Sequence, residues 1–267
     1  MRILVCVKRV PSPGSRINVT GDGQQVDTAY LGFTTSPHEE CAVEEAVQLI
    51  ERATASHPDS NDDHAVMVLT LGPDVAAEQL RYAASVGATG VALVEASGGL
   101  DWDPQRTASA IANAVQRLEA DEGVFDLILF GNESADGGNF QVGIRVAHAL
   151  GRPIVNGIKG IESRPDGGFV ARRQTDAGYE VYELDAPCAL GVKEGINLPR
   201  YPTMKGRLAS RKAQIETLDS AREAAAGGQA RVRLHRPPER ASTTVVLGDS
   251  AAAAPAVVDL LDELGVL

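Results

Sequence analysis

The chain has 267 residues, 43% hydrophobic and 23% charged, with a formal net charge of -11. That length buries a full core and the composition is that of an ordinary globular protein, while the acidic balance argues against a nucleic-acid partner. No apolar run approaches the roughly 20 residues that cross a bilayer, and Cys6, Cys41 and Cys188 form no Cys-x-x-Cys pair, which fits a reducing cytoplasm and offers no metal site.

Met1–Arg9 is too short and too soon recharged for a signal peptide, and it reads as a first strand over Ile3–Val7. A helix is expected over Glu39–Arg52, where Ala42, Val43, Ala46, Val47 and Ile50 recur at helical spacing. Ala65–Leu71 reads as a second strand, Asp74–Val86 as a helix closed by Gly87, and Val91–Val94 as a third strand. Pro104 suits the first turn of a helix to Ala120, and Leu127–Phe130 is a fourth buried run. The next helix is expected from near Asn139, with Val142, Val146 and Leu150 on one stripe, ending at Gly151-Arg152-Pro153. This β-α-β alternation predicts a doubly wound, mainly parallel α/β sheet of the Rossmann-like kind, whose ligands sit beyond the C-terminal strand ends.

After Pro153 the rhythm changes. Ile158–Ile161, Phe169–Arg173 and Tyr179–Leu184 are joined by Pro165-Asp-Gly-Gly168 and Thr175-Asp-Ala-Gly178, so a small antiparallel meander is expected over 155–185. Cys188–Val192 is a fifth buried run, and 191–212 an extended, exposed segment with two prolines. Residues 1–212 are thus read as one nucleotide-binding domain. Residues 213–267 read as a C-terminal arm lying on a partner, with an Ala/Gly-rich stretch at 221–228 and an amphipathic helix over Ser250–Leu264.

The most informative stretch joins the fourth strand to the helix after it: Gly131-Asn132-Glu133-Ser134-Ala135-Asp136-Gly137-Gly138-Asn139-Phe140-Gln141-Val142-Gly143. A buried strand, a small-residue loop and a helix start leave backbone N–H groups and the positive dipole end facing an anion. Gly137, Gly138 and Gly143 permit close approach, Ser134, Asn139 and Gln141 add donors, and Asp136 orients neighbours rather than meeting phosphate. It is neither a P-loop nor a Gly-x-Gly-x-x-Gly turn. Three further strand ends face the same edge: Cys6–Arg9, Ser36-Pro37-His38-Glu39 and Thr70-Leu71-Gly72-Pro73. Together they point to an adenosine pocket.

The search for catalysis is nearly empty. His38, His57, His64, His148 and His235 have no metal spacing, and no Gly-x-Ser-x-Gly elbow occurs. Cys41 has no activating base beside it in sequence. Redox chemistry would therefore have to come from a bound cofactor. In the 191–212 segment, composition favours a solvated basic loop, while Met204 is a flexible apolar side chain suited to a partner's pocket and the cations around it suit an acidic partner.

Taken in register, these stretches resemble the beta subunit of electron transfer flavoproteins. The resemblance runs from Met1 to about Lys212. It rests on Val5-Cys-Val-Lys-Arg-Val10, Pro37 followed by Ala42-Val-Glu-Glu-Ala46, Leu71-Gly-Pro73, Gly87-Ala88, the loop Gly131–Gly143, and Asn197-Leu-Pro-Arg-Tyr-Pro202. A further stretch, Arg172–Gly178 through Tyr182–Pro187, matches the family signature of the second half. The resemblance implies a heterodimer with an alpha subunit that carries most FAD contacts, and AMP held structurally by this chain. It implies nucleotide contacts at Cys6, Ser36, Pro37, His38, Glu39, Leu71, Glu133, Ser134, Ala135, Asp136, Gly137, Gly138, Asn139, Phe140, Gln141, Val142, Gly143 and Ile144. A docking loop for flavoprotein dehydrogenases, acyl-CoA dehydrogenases among them, falls on Arg200, Tyr201, Met204, Lys205, Arg207 and Leu208, with Met204 where the family places its anchoring leucine. Electrons would leave to a membrane quinone oxidoreductase, and the chain would be a carrier subunit rather than an enzyme. Leu198 stands where the family commonly has an acidic residue, and Lys205 where proline often follows the anchor. Two alternatives remain open: an electron-bifurcating member with a second FAD in the AMP site, and a stand-alone adenine-nucleotide sensor.

Overall fold

A computed structural model describes residues 1–56, 64–96, 102–220, 228–238 and 244–267. His57 and residues 221–227 of the expected Ala/Gly-rich stretch lie outside the described residues. The chain opens with β1 (Arg2–Val7) and two small antiparallel ladders, β2 (Val10–Pro11) with β5 (Phe33–Thr34) and β3 (Asn18–Val19) with β4 (Val26–Asp27). Next come α1 (Pro37–Ser56), β6 (Ala65–Gly72), α2 (Ala77–Ser85), β7 (Gly90–Glu95), α3 (Pro104–Glu122), β8 (Leu127–Gly131) and α4 (Val142–Ala149). The remaining elements are β9 (Ile154–Ser163), β10 (Phe169–Thr175), β11 (Gly178–Leu184), β12 (Cys188–Val192), α5 (Met204–Ser210), β13 (Glu216–Asp219) and α6 (Ala254–Glu263).

Among the described residues nine strands form one sheet in the order β11-β10-β9-β12-β8-β1-β6-β7-β13. The five buried runs expected from sequence are its five consecutive parallel strands β12, β8, β1, β6 and β7. The meander is the continuation of the same sheet: β9 pairs in parallel with β12, then β10 and β11 follow antiparallel.

The period of two in β1 explains why both faces are covered. Ile3, Val5 and Val7 join one core with α1 and α2, while Leu4 and Cys6 join the other with α3 and α4. The chain lays down β6 and β7 on one side of β1, then returns to place β8 and β12 on the other. A reversal of this kind opens a crevice at the C-terminal ends of β1 and β8.

Three elements differ from expectation. First, α4 begins at Val142, because residues 132–141 form an irregular loop with Gly138 and Phe140 at positive φ. Second, a helix, α5, stands inside the segment expected to be extended. Both prolines precede it, and Thr203 caps it by accepting from the Gly206 amide at 3.0 Å. Third, the sheet continues past residue 212. The short β13 pairs with β7 and buries Leu218, a single apolar residue that gave no periodic signal.

By internal contacts the chain divides into two compact units, Met1–Leu234 and His235–Leu267. The second unit contains α6, whose Val257, Val258 and Leu260 are partly exposed. No described helix is long and apolar enough to cross a membrane.

Candidate functional site

A pocket of about 130 Å³ occupies the crevice at the β1–β8 switch point. Of the residues expected there, Cys6, Glu39, Leu71, Glu133, Ser134, Asn139, Phe140, Gln141, Val142, Gly143 and Ile144 line it. Ala135, Asp136 and Gly137 line an adjoining cleft that shares Lys8, Trp102, Pro104 and Asn139 with the pocket. Ser36, Pro37, His38 and Gly138 are outside its lining. Pro37 opens α1, and the His38 Nδ1 accepts the Glu194 amide at 2.8 Å, tying α1 to the chain after β12.

The wall beneath the pocket is Glu39, which the fold holds by backbone. Its Oε2 accepts the amides of Lys8 at 3.0 Å and Ser36 at 3.2 Å. Burial pushes this carboxyl up to about 8, against the pull of those two amides. A Cβ on Gly131 would stand 2.6 Å from the Glu39 Cγ, so the end of β8 must be glycine for Glu39 to lie across it. Gly143 serves packing in the same way, since a Cβ there would meet the Phe130 ring at 2.9 Å. Packing against Phe130 is thus a second reason for glycine here, beside the phosphate approach expected from sequence.

The loop is tied to β1 by charge. Lys8 Nζ reaches both Asp136 oxygens at 2.7 Å, and Asp136 Oδ1 also accepts the Gly137 amide at 2.6 Å. Burial opposes ionisation of Asp136, yet Lys8 and its hydrogen bonds hold the carboxyl below its ordinary range. The first turn of α4 leaves the amides of Val142, Gly143 and Ile144 without intrahelical acceptors, and these residues line the pocket. Phe140, a bulky residue at φ 55°, is partly exposed at the same place. Such backbone is costly for a residue with a Cβ and gathers at ligand clamps.

Lys8 and Asn132, on stretches singled out above but not named as contacts, also line the pocket, while Trp102, Thr107 and Asn156 escaped the sequence reading. Trp102 is the only tryptophan of the chain, and the Arg106 guanidinium lies 3.8 Å over its ring. Its position just before α3, at another strand-to-helix junction, was the signal available. Asn156 carried no local signal, because it reaches the pocket from β9 across β12. A Cβ on Gly191 would lie 2.1 Å from its Oδ1. The Asn132 amide bonds the Val192 carbonyl at 2.8 Å, while its buried Oδ1 has no partner.

These features fit an adenine nucleotide. They offer open amides at a helix start, an unpaired acceptor, an indole face and a lysine at the rim. They do not fit nucleophilic catalysis. Burial, reinforced by Glu39, pushes the Cys6 thiol far above its ordinary range, and burial pushes Cys188 up to about 12. No group of three or more metal-ligating side chains occurs among the described residues.

A second region lies at 197–210. Asn197 Nδ2 bonds the Cys41 carbonyl and Glu45, both at 3.0 Å. Arg200 bonds Glu44 at 2.8 Å and Glu51 at 2.7 Å, so this expected docking cation is committed to α1. Past that clamp Leu198, Tyr201, Met204 and Leu208 are exposed, Tyr201 at 90% and Met204 at 75%. A Cβ on Gly206 would stand 2.2 Å from the Ser85 carbonyl, which sets α5 close on the end of α2. Lys205 and Arg207 are borne on α5.

The sequence profile described as "Electron transfer flavoprotein domain" matches residues 25–223. The chain is 30% identical over 256 residues to the electron transfer flavoprotein subunit beta of Megasphaera elsdenii, spanning 92% of this chain and 91% of that protein. The same subunit of Syntrophomonas wolfei is 33% identical over 235 residues, 88% of this chain and 84% of the relative. The caffeyl-CoA reductase-Etf complex subunit CarD of Acetobacterium woodii is 31% identical over 209 residues, 77% of this chain and 73% of the relative.

Proposed function

This chain belongs to the electron transfer flavoprotein family as a beta subunit, and on that premise we propose that it is the carrier half of a heterodimer whose alpha subunit shares its FAD. The β1–β8 crevice holds AMP as a structural ligand. The observation that carries this reading is the pocket itself: helix-start amides, the unpaired Asn132 acceptor and the Trp102 ring converge at the switch point.

FAD, when bound, supplies the electron uptake and release. The chain's own residues position and exclude. The amides of Val142–Ile144 meet the AMP phosphate, Asn132 accepts a hydrogen bond from the nucleoside, and the Trp102 ring flanks the base. Lys8 and Asp136 hold the loop in place, and burial keeps Cys6 a neutral thiol rather than a thiolate. A neighbouring cleft shares Asn132, Phe140 and Asn156 with the pocket and adds Arg173, Tyr182 and Lys193. We assign it to the contact with the alpha subunit's FAD, where cations favour an electron-rich ring. The exposed face of Tyr201, Met204 and Leu208 docks flavoprotein dehydrogenases, of the acyl-CoA type, and electrons then pass to a membrane quinone oxidoreductase. The unit His235–Leu267 is the arm that the alpha subunit covers, through the apolar residues of α6. The setting is the cytoplasm.

A second reading has two observations in its favour. The cleft lined by Ser12, Ser15, Phe33 and Asp136 adjoins the nucleotide pocket through four shared residues, which gives a longer nucleotide room to extend. A second FAD there would make the protein a bifurcating member, and the match to a subunit of a reductase complex supports this. Co-expression with the alpha subunit tests both readings: a yellow heterodimer is expected, and a nearly colourless chain without it. A folded, yellow homodimer that needs no alpha subunit would overturn both.

A further inference from the structure

The two oxygens of Glu39 have different surroundings. The residue is 5% exposed and lines the nucleotide pocket. Its Oε2 is satisfied from within the protein, by the amides of Lys8 and Ser36. Its Oε1 has no hydrogen-bond partner among the described residues, yet it is not fully enclosed, and the surface left to it is the pocket wall.

No ion pair neutralises this carboxyl among the described residues. Lys8, on β1, turns its Nζ to both oxygens of Asp136 at 2.7 Å. The other titratable groups around Glu39 are the Cys6 thiol on β1, Asp136 and Glu133 in the loop after β8, and His38 and Glu40 on α1 itself. His38 Nδ1 is committed to the Glu194 amide, and Glu40 accepts from Thr35. Ionising Glu39 would therefore add to the charge of neighbouring acids and set it against an anionic ligand. Burial is the largest influence and raises the carboxyl to about 8. In the neutral acid Oε2, which accepts two N–H bonds, is the carbonyl oxygen. The proton then sits on Oε1, where it is a donor at the pocket wall.

We propose that Glu39 binds the crevice nucleotide as a neutral acid, its Oε1 hydroxyl donating to a hydrogen-bond acceptor of the ligand, so that nucleotide and proton are held together. This rests on the nucleotide reading above, and it adds a donor to the site and a pH dependence to its affinity. Affinity is level while the free protein already carries the proton, and it falls as pH rises past that point.

The test exchanges isotopically labelled AMP into the purified heterodimer by equilibrium dialysis between about pH 7 and about pH 9.5, above the second phosphate ionisation near 6. With the free carboxyl at about 8, wild-type affinity should fall roughly thirtyfold across that range. Glu39→Gln keeps the shape, lets its amide oxygen accept from Lys8 and Ser36, and puts an N–H donor where the hydroxyl stood. It should bind AMP within about threefold of wild type at about pH 7 and show no slope. Calorimetry near pH 8 in buffers of different ionisation enthalpy should find about half a proton taken up per AMP by wild type and none by the variant. Thermal melting at each pH is the folding control. A carboxyl that only holds the backbone keeps one protonation state through binding. If wild type binds AMP without slope or proton uptake, or if Glu39→Gln keeps the wild-type slope, the inference is wrong and the nucleotide reading stands. If AMP binds at no pH, the nucleotide reading fails and this inference with it.

Discussion

The β1–β8 crevice and the 197–210 segment are both positioned by α1, but they use its carboxylates differently. In the crevice, Glu39 is buried and carries a raised pKa while bonding only backbone amides. Five and twelve residues further along the helix, Glu44 and Glu51 are ionised against Arg200. Burial is the largest influence on Glu44, but Arg200, Gln48 and the Arg200 amide outweigh it and hold the carboxyl low. Glu51 is held low first by its hydrogen bond to Arg200. The crevice closes around its own backbone, whereas the 197–210 segment is clamped to α1 at Asn197 and Arg200 and leaves its apolar side chains in water.

That contrast predicts a ranked set of effects. Gly131→Val should be the most damaging change. It drives a side chain into Glu39 and His38, so it should cost about 1–3 kcal/mol in denaturant unfolding and release the crevice nucleotide. Dehydrogenase docking by the surviving folded fraction should stay intact. Arg200→Ala leaves Glu44 buried and unpaired. Its cost should be about 2 kcal/mol, below the usual range for broken buried pairs because Arg200 is itself partly exposed. Nucleotide content should not change.

Glu39→Gln probes the crevice by pH. The folded carboxyl keeps its proton to about 8, while the unfolded one loses it near 4.5. Folding therefore takes up a proton in that window, and the stability from this group, full below 4.5, falls as pH rises toward 8. Melting curves of the variant should lack that decline between pH 4.5 and 8, and an identical pH profile would contradict the assignment. Met204→Ala should change stability by no more than about 0.5 kcal/mol, since the side chain is 75% exposed. Its effect should appear only as weaker electron transfer from the dehydrogenase.

The crevice was legible because its parts are local. A buried strand, a glycine-rich loop and a helix start follow one another between Leu127 and Ile144, and the alternation of elements places them at one sheet edge. What stayed hidden depends on distance in sequence. Asn156 reaches the pocket only because Gly191 lets it cross β12, and Lys8 meets Asp136 from 128 residues away. The 197–210 segment is exposed at Met204, as read, but Arg200, assigned to docking, is committed to α1. Its partners Glu44 and Glu51 sit about 150 residues earlier, outside the apolar stripe of their helix. The helix α5 was hidden by its prolines, which end one residue before its Thr203 cap.

The most direct measurement is a count of nucleotides extracted from the co-expressed heterodimer. One FAD and one AMP are predicted, with AMP lost and FAD kept in Gly131→Val. Two FAD and no AMP would contradict the carrier reading, and a single FAD with no second nucleotide would contradict the crevice as a nucleotide site.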